Sequence, residues 1–216
     1  MIPLLHDLSD DRVLVFGAGP VGARKARRFD READVTVVAP EFTDADFGDA
    51  TCVRATPGPD DVRDWIDRVD PALVVAATDE TAVNAAVETA GKERGILVNR
   101  ADHSGERARN DVVLPAIARD DPVVVGISTQ ARAPAVSGAL REEIEAQIDG
   151  AGALATFVDD CRERFAGRDV EPVHRREALG AIARSERVRD LVADERTDRA
   201  REIADELLRS VQNSAE

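Results

Sequence analysis

Arg12-Val13-Leu14-Val15-Phe16-Gly17-Ala18-Gly19-Pro20-Val21-Gly22 decides the fold. A short apolar run enters three glycines at GxGxxG spacing, and the glycines open an Ala- and Arg-rich stretch of helical character. Strand, tight turn and helix in that order begin a dinucleotide-binding βαβ unit. Gly17 permits the turn, Gly19 lets the backbone approach a pyrophosphate, and Gly22 lets helix and strand pack closely. Pro20 and Val21 lie in the first helical turn, where unpaired N–H groups and the helix dipole favour an anion. The expected ligand is NAD.

Working outward, Val35-Thr36-Val37-Val38-Ala39 is a second strand closed by Pro40. A site selecting NAD usually carries an acid at this strand end to hold the ribose hydroxyls. Here Val38-Ala39 occupies the place, and Glu41 follows slightly late. No arginine stands there for a 2′-phosphate, which favours NAD over NADP, with Pro40 and Glu41 on the adenosine side. Cys52-Val53-Arg54-Ala55 reads as a strand, residues 60–69 as a helix, and Ala72-Leu73-Val74-Val75-Ala76-Ala77 as a strand buried on both faces. Thr78 and Asp79 then face the cofactor across the switch point of the sheet, or Asp79 simply caps the helix over residues 80–94. Gly95-Ile96-Leu97-Val98-Asn99 is the fifth strand. Strands alternating with helices specify an α/β fold with a Rossmann-type parallel sheet.

The rhythm breaks after Asn99. A polar loop over residues 100–110 is followed by apolar runs at 112–117 and 122–128, which read as two strands joined through Arg119-Asp120-Asp121. From Pro134 onward the pattern is helical, with breaks at 150–152, 167–169 and Pro172; the heavily charged stretch 186–209 reads as a solvated helix face. The expected organisation is a nucleotide-binding domain over 1–110, a small α+β segment over 111–148 and a helical region over 149–216.

Composition narrows the function. A chain of 216 residues holds one nucleotide domain and an accessory region. No apolar run reaches membrane-spanning length and the start lacks a secretory pattern, so no membrane association and a cytoplasmic location are expected. Cys52 and Cys161 provide neither a disulfide framework nor a thiolate metal site, and no metal site is expected. A formal net charge of −14 argues against nucleic acid as partner. Lys25 and Lys92 are the only lysines, an imbalance resembling that of proteins adapted to high salt.

Catalytic groups in open α/β sheets lie beyond the carboxyl ends of the strands, which directs attention to Asn99-Arg100-Ala101-Asp102-His103. A dehydrogenation releases a proton as hydride leaves, and Asp102 or His103 is placed to accept it. Equally, Asp102 could cap a turn and His103 could face solvent.

Over residues 1–148 the chain resembles the precorrin-2 dehydrogenase and sirohydrochlorin ferrochelatase family, the N-terminal module of siroheme synthases. Five motifs carry the resemblance: Val15 through Ala26, Ala76 through Asn84, Asn99 through Asp102, Leu114-Pro115-Ala116-Ile117, and Ile127-Ser128-Thr129 with Ala133-Pro134. It implies an NAD-dependent oxidoreductase of siroheme (porphyrin) biosynthesis acting on the tetrapyrrole precorrin-2, a homodimer formed through the central segment, and catalysis by Asp102. A ferrochelatase step with Fe2+ as substrate is left open. Ser128 and Thr129 belong to a loop that is glycine-containing in the family, whereas this chain has Gln130-Ala131-Arg132. The implied substrate bears eight carboxylates, for which Arg100, Arg107, Arg109 and Arg132 are candidate ligands because guanidinium pairs with carboxylate bidentately; the other reading pairs these arginines with the protein's own acids. Two further functions fit the glycine turn: a regulatory NAD-binding module without chemistry, and an ordinary small-molecule dehydrogenase.

Overall fold

The computed structural model describes residues 3–102, 110–130 and 132–213. The chain divides into two compact units, residues 1–114 and 115–216. The first is a parallel sheet of β1 (Arg12–Phe16), β2 (Asp34–Ala39), β3 (Thr51–Arg54), β4 (Leu73–Ala76) and β5 (Leu97–Arg100) in the order β3-β2-β1-β4-β5. Helices α1 (Pro20–Phe29), α2 (Val62–Val69) and α3 (Thr81–Glu93) connect them, with a single 3-10 turn at Pro59–Asp61 ahead of α2. The fold is the doubly wound α/β sheet expected from the apolar runs.

β1 shows why those runs are nearly continuous. Val13 and Val15 point to one face, where Ala23, Ala26 and Phe29 of α1 close the core. Leu14 and Phe16 point to the other, against Val62 and Ile66 of α2 and Val83, Val87 and Ala90 of α3. These four of the five β1 side chains are fully buried, at roughly 1.5–3 kcal/mol each for a large aliphatic or aromatic group. Chain order reverses at β1, which pairs with β2 on one side and β4 on the other, so its carboxyl end is the switch point at which such sheets bind ligands.

In the second unit β6 (Ala116–Asp120) and β7 (Val123–Ile127) form an antiparallel hairpin, and α4 (Pro134–Ile148) packs on it. α5 (Ala151–Ala166), α6 (Pro172–Arg184), α7 (Glu186–Ala193) and α8 (Thr197–Asn213) bury Phe157, Cys161, Phe165, Ile182, Val188, Leu191, Ile203 and Leu208 between them.

The hairpin differs from expectation in register. Val112 and Leu114, read as strand, instead pack on the α1-side core of the first unit, and the backbone there makes a single bridge between Asp111 and Val98. The strand begins at Ala116, and Arg119 and Asp120, read as turn, pair with Val124 and Val123; the turn is Asp121-Pro122. The charged stretch 186–209 is two helices rather than one solvated face. Glu195 at φ 57° ends the first, and both bury an apolar stripe. Among the described residues no helix is long and apolar enough to cross a membrane.

Candidate cofactor and proton-transfer site

At Gly17 the backbone has φ 102°, and a Cβ would lie 2.3 Å from the Ala77 carbonyl oxygen. The turn therefore seats directly on the end of β4, while the Gly17 N–H donates to the Val38 carbonyl at the end of β2 (2.9 Å). A Cβ on Gly22 would meet the Gly17 carbonyl oxygen at 2.0 Å, which sets how closely α1 approaches the turn. Gly19 is different: a Cβ there would meet nothing within 4 Å. It precedes α1 in extended conformation without a side-chain cap, and Pro20 follows at the first helical position. Open space above Gly19 and uncapped first-turn N–H groups fit a diphosphate.

The segment after β2 is tied to this turn by Thr43, which sequence reasoning did not single out. Its N–H and its hydroxyl both donate to the Ala18 carbonyl, the hydroxyl at 2.9 Å. Pro40 and Glu41, both exposed, lie between β2 and that tether. Glu41 is thus carried at the strand end, two residues beyond Ala39.

Beyond β4, Thr78 is held by the fully buried Asn84 of α3. The Asn84 amide oxygen accepts from the Thr78 N–H (3.1 Å) and hydroxyl (2.8 Å), and its NH2 donates to the Thr78 carbonyl (2.8 Å). The residue preceding α3 is Glu80, which makes no side-chain cap, so Asp79 does not cap the helix; Asp79 is exposed.

Asp102 lies two residues past β5. The residue is exposed overall, although its side chain keeps only 25% of its accessibility. Arg100 grips it bidentately, Nε to Oδ1 at 3.0 Å and Nη2 to Oδ2 at 2.6 Å. The third guanidinium nitrogen, Nη1, donates to Oε2 of Glu88 at 2.6 Å. Lys92 pairs with Glu88 and with Asp111, the latter at 3.0 Å. Charges alternate along Asp102, Arg100, Glu88, Lys92 and Asp111. The Arg100 fork holds the Asp102 carboxyl below its ordinary range against the opposing effect of burial, with a further contribution from Asn84. Glu88 is lowered first by Lys92 and then by Arg100, and Arg100 is raised, chiefly by Asp102.

Arg100, one of the candidate substrate ligands, therefore directs all three nitrogens at acids of the chain itself. His103, Arg107 and Arg109 lie outside the described residues. Asn84, Glu88 and Lys92 were missed, yet they recur every four residues and share a helix face; that period, together with Lys92 being one of two lysines, was the available signal.

In the second unit the Ser128 hydroxyl accepts from the Gln130 N–H (3.1 Å). The Thr129 hydroxyl accepts from the Ala133 N–H (3.2 Å) and shares a hydrogen bond with buried Ser137 (3.0 Å). Both hydroxyls shape the turn into α4. Gln130 sits at φ 55°, a conformation natural to glycine; Arg132 is exposed. No group of three or more His, Cys, Asp or Glu that could hold a metal occurs among the described residues.

Comparison with known proteins adds the family context. Residues 4–116 match a family described as "Putative NAD(P)-binding". A precorrin-2 dehydrogenase of Methanosarcina barkeri is 31% identical over 196 residues, covering 87% of this chain and 84% of the relative. A siroheme synthase of Methylococcus capsulatus is 36% identical over 179 residues, covering 81% of this chain and 36% of that protein; siroheme synthase 1 of Aeromonas salmonicida is 32% identical over 215 residues, with 95% and 44% covered. The chain thus spans less than half of these siroheme synthases. Among solved structures, "SirC, precorrin-2 dehydrogenase" matches with a TM-score of 0.71 at 22% identity, covering 99% of this chain and 100% of that one, a likeness of fold.

Proposed function

This chain belongs to the precorrin-2 dehydrogenase family, and from that premise we propose that it oxidises precorrin-2 to sirohydrochlorin with NAD as cofactor. When bound, NAD+ supplies the hydride acceptor. The chain's own residues bind and orient: the uncapped N–H groups around Gly19, Val21 and Gly22 hold the diphosphate, and Glu41 takes the ribose hydroxyls. Asp102, or a water it orients, removes the proton that accompanies hydride loss. The observation that carries this reading is Asp102 itself, a carboxylate held in a fixed orientation just beyond β5 by the bidentate Arg100 fork. Position is the first requirement of a general base.

The proposal includes a cytoplasmic homodimer that binds neither membrane nor nucleic acid; Val136 and Leu140, exposed one turn apart on α4, support a face that a second copy covers.

Incubation with precorrin-2 and NAD+ tests the reading: NADH and the absorbance of sirohydrochlorin should rise together. NAD+ binding without NADH would return the chain to a non-catalytic nucleotide module. Asp102→Asn should bind NAD+ like the wild type and lose at least about a hundredfold in kcat, the usual contribution of a general base; full turnover would place the base elsewhere. Adding Fe2+ anaerobically to sirohydrochlorin without NAD+ separates ferrochelatase from dehydrogenase.

A further inference from the structure

We propose that Arg100 is a positioning residue for Asp102 rather than a ligand of substrate carboxylates, and that Glu88 fixes it in that role. The inference rests on the dehydrogenase reading above. A guanidinium engages a carboxylate best through two parallel N–H donors, and Arg100 has committed such a pair to the two oxygens of Asp102. A substrate carboxylate could take that fork only by displacing Asp102. The remaining nitrogen is fixed to Glu88, on a different element, so the fork is held from behind and cannot swing toward a ligand without breaking a second ion pair. Glu88 is in turn held by Lys92, and Lys92 by Asp111.

Among the described residues, the charged groups linked to Asp102 are therefore Arg100 from β5, Glu88 and Lys92 from α3, and Asp111 where the chain returns; the polar Asn84 of α3 also acts on it. Each cation stands between two anions. An ionised carboxylate offers about four lone-pair sites, and Arg100 occupies one on each oxygen. The arrangement fixes the plane of the Asp102 carboxylate. A ligand role for Arg100 would require it to release Asp102 during binding; a positioning role requires the two to stay together throughout turnover.

The experiment uses the full chain with Arg100→Met, Arg100→Lys and Glu88→Gln. Steady-state kinetics with precorrin-2 and NAD+ give the pH dependence of kcat and kcat/KM. Carboxyl NMR titration of the cofactor-free protein labelled with 13C-aspartate, with Asp102 assigned by its loss in Asp102→Asn, gives a readout independent of turnover. Loss of the adjacent charge in Arg100→Met should move the Asp102 titration, and the acid limb of kcat/KM with it, to higher pH by about one to three pH units. kcat should fall about tenfold, less than the roughly hundredfold or more that the base itself contributes, with KM for precorrin-2 unchanged. Arg100→Lys should recover part of the loss, and Glu88→Gln should show a smaller change of the same sign.

The proposal is overturned if Arg100→Met raises KM for precorrin-2 while the acid limb and the Asp102 titration stay where they are. A wild-type acid limb near pH 6.5, the ordinary range of histidine, would also overturn it by giving the base role to His103. If Arg100→Met does not fold, Arg100→Lys and Glu88→Gln make the same comparison. Absence of wild-type turnover would remove the dehydrogenase reading, while the NMR titration would still decide whether Arg100 governs Asp102.

Discussion

Gly17 and Gly19 stand two residues apart in one turn, and alanine should act on them in opposite ways. At Gly17 the substitution meets two obstacles. The φ of 102° is one that L side chains rarely adopt, and the new Cβ would overlap three backbone atoms of Ala77 and Thr78 at 2.3 to 2.9 Å. Strain of about 1–3 kcal/mol for the dihedral and about 1–3 kcal/mol for displacing packed backbone give roughly 2–6 kcal/mol. At about 4 °C per kcal/mol for a unit of this size, that lowers Tm by roughly 8–24 °C. At Gly19 the backbone is extended (φ −72°, ψ −179°) and the Cβ enters open space, so the ligand-free protein should keep its Tm. The methyl group would instead stand where the diphosphate approaches. Losing one charge-assisted hydrogen bond, at about 1.5–3 kcal/mol, weakens NAD+ binding by roughly 10- to 150-fold. Thermal melts with and without NAD+, and calorimetric titration of NAD+ into each variant, measure both effects. Equal destabilisation of the two ligand-free variants, or an unchanged Kd in Gly19→Ala, would refute the assignment of one glycine to the fold and the other to the ligand.

Asn84→Ala should destabilise the first unit by about 1–3 kcal/mol, because it leaves the part-buried Thr78 N–H and carbonyl without their partner; denaturant unfolding against the wild type measures it. Acid should erode stability through the ion-pair chain. Asp102 and Glu88 are both held below their ordinary values, so their contribution is complete above the ordinary carboxylate range and is lost as pH falls through the native values. Glu88→Gln should therefore flatten the fall of Tm below about pH 4.5, where unperturbed carboxylates titrate, and a curve parallel to the wild type would contradict the ion-pair origin.

The sheet was legible because its strands are buried on two faces, which leaves a nearly continuous apolar run and no competing helical period. The hairpin was less so: Val112-Val113-Leu114 has the composition of a strand, but Val112 and Leu114 serve the first unit's core and Pro115 precedes the true start. The two charged C-terminal helices were hidden for the opposite reason, since Val188, Leu191, Ala200, Ile203 and Leu208 are diluted among acids and arginines. At the site, chain order alone exposed Asp102. Its partners were harder to see, because pairing between Arg100 and Glu88 depends on β5 lying beside α3, a tertiary fact. Gln130 in a left-handed conformation shows a limit of another kind: a loop can adopt a glycine-like geometry without a glycine.

The ion-pair chain begins at Asp102 and finishes at Asp111. Both are moored to the same helix, one through Arg100 and Glu88, the other directly through Lys92. The aspartate's position is thereby inherited from β5 and α3, elements the chain completes before reaching it, so a change of substrate would leave the base where the sheet puts it.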